Sequence, residues 1–300
     1  MRRLALIAAV LATPLAHAAP VNLGLASSLN LLAFGNMNVS SSDVEGRVAV
    51  GGNATISGYS INTKTGSSAL YAGTGLTVGG NLNFSSGSIW GGAEIGGSYT
   101  PVASGNIIGG VSHSVGFDFA GEHTRLAQLS QAWDAFTNTG SAADQWGTLH
   151  FDATQQTLAV FDIAAADLLK NLQIDNLATG AQVLINVHGG TVDFGNHGYT
   201  GFNKGQVIFN LVDATNVSFN GGVNASLLAL NATVNPGWGQ FNGQLVVNNW
   251  NSSVQVNDAP LPGTPNTGGA GGGTVPEPAT LALVGLGLGL AAASRARRRA

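Results

Sequence analysis

Apolar and polar residues alternate along this chain over only four to six positions at a time, and glycine or asparagine ends each run. "VAVGGNATI" begins at Val48 and "LTVGGNLNF" at Leu76, with Ile95-Gly96-Gly97 and Ile108-Gly109-Gly110 as fainter echoes. A period of two in runs this short predicts short strands joined by tight turns, with a Gly-Gly corner between them. The second half repeats the habit: "VLINV" starts at Val183, "QVIFNLV" at Gln206, "SLLAL" at Ser226 and "QLVVNN" at Gln244, so successive starts lie 23, 20 and 18 residues apart. That spacing fits one coil of a β-solenoid, where a coil cannot bury its inward face alone and stacks on the next. The expected fold is mainly β, a right-handed β-helix-like solenoid. A β-sandwich, which also gives evenly spaced strands, is the alternative.

One segment has a different period. In "FDFAGEHTRLAQLSQAWDAFTNTG", Phe119, Leu126, Leu129, Trp133 and Phe136 recur at helical spacing, with Asp118 as candidate N-cap and Gly140 as candidate stop. An amphipathic helix flanking the solenoid is predicted, its aromatic stripe packed against the strands. A second short helix is expected around Ala164 to Asn171.

The two ends read as addresses. "MRRLALIAAVLATPLAHAAP" has basic Arg2 and Arg3, an apolar stretch from Leu4 to Leu15 and the small-x-small triplet Ala16-His17-Ala18. It is a signal peptide over residues 1–18, cleaved after Ala18. At the other end, the Pro- and Gly-rich residues 259–274 cannot bury an apolar face and make a linker after a folded region of 19–258. Residues 275–300 hold Pro276-Glu277-Pro278, an apolar run from Ala279 to Ala293, and Arg295, Arg297, Arg298 and Arg299. As a helix that run spans about 22 Å, short of a hydrocarbon core of about 30 Å. The arginines would stay on the cytoplasmic side and halt export. The two prolines keep the preceding segment extended, as a peptide offered to an enzyme would be. This tripartite tail resembles a PEP-CTERM sorting signal. The resemblance implies processing by an exosortase, a transient passage through the membrane on a short transmembrane helix, and delivery to the surface, envelope or extracellular matrix of a Gram-negative-type bacterium.

Composition removes several functions. Only 9% of the 300 residues are charged, 44 are glycine and none is cysteine. Disulfides, thiolate metal sites and cysteine nucleophiles are therefore excluded. Loss of both ends removes six arginines and one glutamate, leaving 5 basic and 14 acidic residues and a net charge of −9. A nucleic-acid partner is not expected of so acidic a chain, which has no basic stripe. Contact with a glycan would run through neutral hydrogen bonds, aromatic faces or a bridging divalent cation.

Candidate chemistry is sparse. Asp43 and Glu45 would share a strand face if the strand ran through both, and Arg47 would continue the row, which reads as a solvated charge ladder or, alternatively, as the acids of a glycan-active enzyme. Glycoside hydrolysis needs two carboxylates about 5 to 9.5 Å apart in a cleft. His188 and His197 bracket Asp193 and could form a metal site, but no third ligand stands at a recognisable spacing. His113, His123 and His150 have no informative spacing. No catalytic, cofactor or metal residue is assigned, and no enzymatic activity is expected.

The order of "SSDVEGRVAVGGNATI" (Ser41 to Ile56), the helix with "RLAQLSQAW", "LAVFDI" (Leu158 to Ile163), "VLINVHG" (Val183 to Gly189) and "QVIFNLVDATNVSF" (Gln206 to Phe219) resembles the choice-of-anchor A domain. That family consists of bacterial surface adhesins with alternative C-terminal anchors. The chain departs from its usual form at Ser226 to Ala232, where a local change at the turn is expected. The order of elements is similar, more distantly, to ice-binding β-solenoids. The resemblance implies an adhesin or structural protein of the cell surface or biofilm matrix, with exopolysaccharide or other surface glycans as partners. Ice contact would need a flat face with regular Thr rows, and the Thr residues do not recur at the coil spacing.

Overall fold

The protein, a computed structural model, is described over residues 21–65, 73–101, 105–154, 156–203 and 205–261. All of these belong to one unit that ends at Gly268. The signal peptide with Ala16 and Ala18, most of the linker, the PEP-CTERM-like tail and the helix expected in it lie outside the described residues. Among the described residues no helix is long and apolar enough to cross a membrane.

The chain is a β-solenoid. Short strands stack in register and parallel, so that each coil contributes to three ladders that form three faces. The first ladder runs Leu158–Ala164, Gln182–His188, Val207–Leu211, Ser226–Val234, Leu245–Trp250, Leu31–Ala33, Val48–Val50, Thr74–Val78, Gly92–Ile95 and Val111–Ser112. The four phrases spaced by 23, 20 and 18 residues are consecutive members of it, and Val48 stands directly opposite Leu76. Among the described strands only Ser141–Gln145 with Thr148–Asp152 pairs antiparallel, which rules out a β-sandwich.

Stacking order does not follow chain order. The first coil sits on the last: Leu31 pairs with Leu245, Met37 with Trp250 and Val44 with Val256. Both ends of the stack therefore come from the middle of the chain, at Val111–Ser112 on one side and Ser141–Asp152 on the other. The helix α1, Phe119–Asp134, connects them along the outside. Asp118 caps it by accepting from Gly121 N at 2.9 Å, as its sequence position suggested.

The first face is closed by α1. Its outward row, including Leu32, Ala49, Val160, Leu184, Ile208, Leu228 and Val246, is apolar and buried together with Leu126 and Trp133 of the helix. Phe119 and Leu129 pack against the same cluster, whereas Phe136 lies past the helix end and is exposed. The helix also stops before Gly140, whose place is instead fixed by tight packing on Asp152 and Phe161. Toward the end of α1 the outward row turns polar, and the fully buried Asn186 and Asn210 satisfy the helix. Asn186 Nδ2 donates to Trp133 O and Asp162 Oδ1 at 3.0 and 2.9 Å, and Asn210 Nδ2 to Ser130 O and Asn186 Oδ1 at 3.0 and 2.9 Å. Near the helix start, the buried Glu122 pairs with Arg125 at 2.7 Å and accepts from Ala26 N at 3.1 Å, pinning the 3₁₀ turn Gly24–Ser28.

The interior is a column of inward side chains, with aromatic rings stacked from rung to rung. Phe194 lies 5.2 Å from both Phe209 and Phe219, and Phe219 lies 5.3 Å from Phe241. Such pairs add to area burial when offset or edge-on. The expected second helix is a five-residue 3₁₀ turn, Ala165–Leu169. The segment at Ser226 is one continuous strand, bent where its register breaks between Ala229 and Thr233.

The third face is formed by two parallel runs, Thr148–Asp152, Asn171–Asp175 and Tyr199–Thr200, and then Asn216–Val223, Trp238–Asn242, Gln255–Asn257, Asp43–Val44, Ser60–Ile61, Leu82–Ile89 and Gly105–Ile107. Both termini of the domain attach at the edge between this face and the first. Val21 exchanges two hydrogen bonds with the Gln182 side chain, at 2.8 and 2.9 Å, and Leu261 N donates to Gln244 Oε1 at 3.3 Å.

The Gly-Gly corner joins the first face to the second. A Cβ at Gly80 would lie 2.7 Å from Gly52 O, and one at Gly97 would lie 2.8 Å from Gly80 O, so glycine is required by close approach of successive corners. Ile108-Gly109-Gly110 belongs to a different corner, where Gly109 N donates to Gly91 O. Replacing Gly80 by Ala should destabilise the domain by about 1–3 kcal/mol through overpacking, measured by denaturant unfolding; an unchanged midpoint would contradict this packing.

Candidate binding face

The second face is the open one. Its ladder runs Thr191–Phe194, Asn216–Val223, the ends of Ser226–Val234 and Leu245–Trp250, Met37–Ser40, Ala54–Ser57 and Leu82–Ile89. Strand alternation buries Met37 and Val39, Ala54 and Ile56, and Leu82 and Phe84, and turns the residues between them outward. The registers align Asn38, Thr55 and Asn83 in one row. The bridge from Leu82 to Tyr99 extends it to Thr100. Rungs are about 4.8 Å apart, so the row presents one short, uncharged hydrogen-bonding group per rung.

A second row stands beside it at the Gly-Gly corner. Asn249 Oδ1 accepts from Asn36 N, Asn36 Oδ1 from Asn53 N, Asn53 Oδ1 from Asn81 N and Asn81 Oδ1 from Ser98 N, each at 2.8 Å. Each side-chain oxygen is committed to the next backbone, which leaves the amide NH₂ groups of Asn36, Asn53 and Asn81 as donors, while that of Asn249 donates to Thr233 Oγ1 at 3.1 Å. The "GGN" repetition was the sequence signal for this ladder, although only its glycines were read. Between the rows lies a shallow depression of about 280 Å³, lined by Asn53, Thr55, Asn81, Asn83, Ser98 and Thr100 among others. Its lining contains no acid, base or nucleophile poised for chemistry. The arrangement offers many weak donors and acceptors to an extended, hydroxyl-bearing or water-like surface.

The acids and histidines singled out in the sequence do not converge. The strand Asp43–Val44 is two residues long, so the ladder Asp43-Glu45-Arg47 does not form. Asp43 Oδ2 accepts from Thr63 Oγ1 at 2.9 Å, and Glu45 Oε2 accepts from Asp258 N at 2.8 Å, with Lys64 Nζ at 3.9 Å. His188, Asp193 and His197 also separate. Asp193 Oδ1 accepts from Ser218 and Asn220 at 2.9 and 3.0 Å, while His197 Nε2 contacts Leu168 O. His188 faces Asp134 at 3.4 Å through Nε2 and Asp213 at 3.5 Å through Nδ1. Among the described residues, Asp134, Asp162 and His188 are the group whose ligand atoms lie close enough to hold a metal ion, within 4.8 Å of one another. The histidine was thus visible in the sequence and its partners were not, because they arrive from the helix end and a neighbouring rung. Pro276, Glu277, Pro278 and the four C-terminal arginines lie outside the described residues.

Charge collects on the third face and the capping hairpin. His150 Nδ1 lies 2.7 Å from Asp175 Oδ2, and Lys170 reaches Asp144 and Asp167, both at 2.9 Å. The Gln173 amide, donating at 2.7 Å, and then His150 hold the Asp175 carboxyl below its ordinary value. Hydrogen bonds from Asn176 and Thr154 do the same for Asp152. Hydrogen bonds from Lys170 and Gly147 N lower Asp144.

Two family descriptions match the chain. "Putative Ice-binding-like adhesive domain" matches residues 22–258, and "PEP-CTERM protein-sorting motif" matches residues 274–299. No curated protein matches the chain. Among solved structures, an ice-binding protein from the Antarctic ascomycete Antarctomyces psychrotrophicus is similar over 80% of this chain and 100% of its own, at 11% identity and a TM-score of 0.30. The ice-binding protein 1 domain of Shewanella frigidimarina is similar over 81% of this chain and 99% of its own, at 10% identity and a TM-score of 0.33.

A carboxyl whose folded pKa is depressed adds stability that is complete above its unfolded value and is lost as pH falls through the folded one. Asp175 should therefore titrate below 3.8 when followed by carboxyl carbon NMR, and Gln173→Ala should move its midpoint upward. A midpoint at or above 3.8 in the unaltered protein would contradict the assigned contacts.

Proposed function

The chain belongs to the ice-binding-like adhesive domain family, and from that membership we propose that it is a surface or matrix adhesin that grips neutral, hydroxyl-rich polymers through its open face. The adhesive domain and the sorting motif together indicate an exported, cell-surface protein, and the motif implies processing by an exosortase. The observation that carries the adhesive reading is the pair of aligned rows, Asn38-Thr55-Asn83-Thr100 and Asn36-Asn53-Asn81-Ser98. They combine regular spacing and lack of charge, and an exported chain of net charge −9 has little attraction for anionic polymers. Exopolysaccharide of the producing cell is the partner favoured by this chemistry.

The finer assignments complete the proposal. The order of segments from Ser41 to Phe219 supports a relation to choice-of-anchor A adhesins of Gram-negative-type bacteria. The amino-terminal pattern supports cleavage after Ala18, a folded domain over 19–258 and a linker over 259–274. Pro276, Glu277 and Pro278 are the recognition segment, and Arg295, Arg297, Arg298 and Arg299 the halt to export. The function is binding rather than catalysis.

A second reading, ice contact, draws support from the family description and the regular spacing of the rows. The row alternates Asn and Thr instead of repeating Thr, which favours polymer over ice. Thermal hysteresis of the processed protein separates the two readings: none is expected, and a clear gap would favour ice.

The processed protein should be retained on immobilised exopolysaccharide at both low and high salt. The double variant Thr55→Arg/Asn83→Arg should reduce retention at least tenfold, while Asn106→Arg on the third face should not. Free elution of the unaltered protein would remove the adhesive reading. Mass spectrometry of the surface form should find no peptide from residues 281–293; recovery of one would remove the processing.

A further inference from the structure

The third face carries a feature that the open face lacks. Trp238 begins the strand Trp238–Asn242 with its side chain outward and 57% exposed, in the middle of the stack rather than at an end. Its Cα partner on the neighbouring rung is Asn220. Two residues on, Gln240 points the same way, between Gly222 on one side and Gln255 on the other. Gln240 Nε2 donates to Gln255 Oε1 at 3.2 Å, and Asn220 Nδ2 donates to Asp193 Oδ1 at 3.0 Å.

Glycine keeps the surroundings of the indole low. A Cβ at Gly222 would meet nothing within 4 Å, so open space lies where a side chain would stand. Gly239 has φ +113°, a left-handed conformation, and its Cβ would run into Gly221 O. Gly222, opposite Gln240 on the adjacent rung, thus leaves the space beside the indole unfilled. Among the described residues the charges nearest the patch are Asp193, whose carboxylate oxygen is shared between Ser218 and Asn220, and Asp43, one rung beyond Gln255 and hydrogen-bonded to Thr63. The patch borders the open face, since the chain turns from Val234 to Trp238 at the edge between the two faces.

Resting on the adhesive reading above, we propose that Trp238 with Gln240, Gln255 and Asn220 forms a stacking platform for neutral hexose units of a polysaccharide. An indole face takes the apolar C–H face of a pyranose ring, and amides on adjacent rungs pair with its vicinal hydroxyls. A flat, open platform suits an internal unit of a polymer, where an enclosed pocket would suit a chain end or a free sugar. Separation by about 4.8 Å between rungs and about 6.7 Å between Trp238 and Gln240 along the strand gives room for two or three units. With no cation among the described residues of the patch, recognition runs through sugar hydroxyls rather than carboxylates or sulfates.

The probe is cellohexaose, titrated into the processed protein and followed by the tryptophan indole N–H signals in NMR. The Trp238 signal should shift in the unaltered protein, while that of Trp146, fully exposed on the hairpin beside the Asp144–Lys170 pair, should stay in place. Trp238→Ala should weaken binding at least tenfold, Trp238→Phe and Gln240→Ala less, and Trp146→Ala less than twofold. An unmoved Trp238 signal, equal binding by Trp238→Ala, or stronger binding of an alginate hexamer would each overturn the platform. If Trp238→Ala is still retained on exopolysaccharide while the Thr55→Arg/Asn83→Arg variant is not, the platform fails and the open-face reading stands. If the unaltered protein ignores both polymer and hexamer, both fail.

Discussion

Parallel, in-register stacking of one rung on the next is the constraint from which the rest of this molecule follows. Each inward side chain must fill space left by the same position above and below it, which is why Phe194 stacks on its register partner Phe219, while Phe241 meets Phe219 from the adjoining face. Each corner must come within van der Waals distance of the next, which is why Gly52, Gly80 and Gly97 recur at one place. The same register lines up outward residues, so a surface row is a by-product of the core. Whatever binds the open face meets a pattern whose spacing the backbone ladder sets, with side chains choosing only its chemistry.

Stacking also has to be closed against water and against other strands. The first face does so by trading outward polar groups for Leu32, Leu184, Ile208 and Leu228 and covering them with α1. Where the apolar row ends, Asn186 and Asn210 take over and satisfy carbonyls of the helix from a site with no access to solvent. At one end of the stack the antiparallel strand Ser141–Gln145, exposed throughout, covers an edge that would otherwise invite pairing. The contact of the first coil with the last joins positions more than two hundred residues apart, as between Asn30 and Gly243. Such closure over a long loop is slow to form, and it makes the mid-stack seam dependent on both halves of the chain.

The sequence revealed the rungs better than their order. Local alternation and the phrases at Val183, Gln206, Ser226 and Gln244 identified members of one ladder because strand period is a short-range property. The helix was legible for the same reason, from Asp118 to Trp133. Stack order was not, since nothing local tells Leu31 that its neighbours are Leu245 and Val48. The outward rows were hidden in plain composition: Asn38, Thr55 and Asn83 fall in turn-like, polar surroundings and become a row only once the register is known. Phe136 and the Asp43-Glu45-Arg47 ladder misled because a period was extended past the end of its element.

The edge at which the domain's termini are held has its own meaning for how the molecule is displayed. Leu261 is hydrogen-bonded to Gln244 where the third face turns into the first, and in a three-sided prism that edge lies opposite the second face. The last described residue therefore leaves the domain at its back, and neither terminal segment, Val21 or Leu261, crosses the Asn and Thr rows.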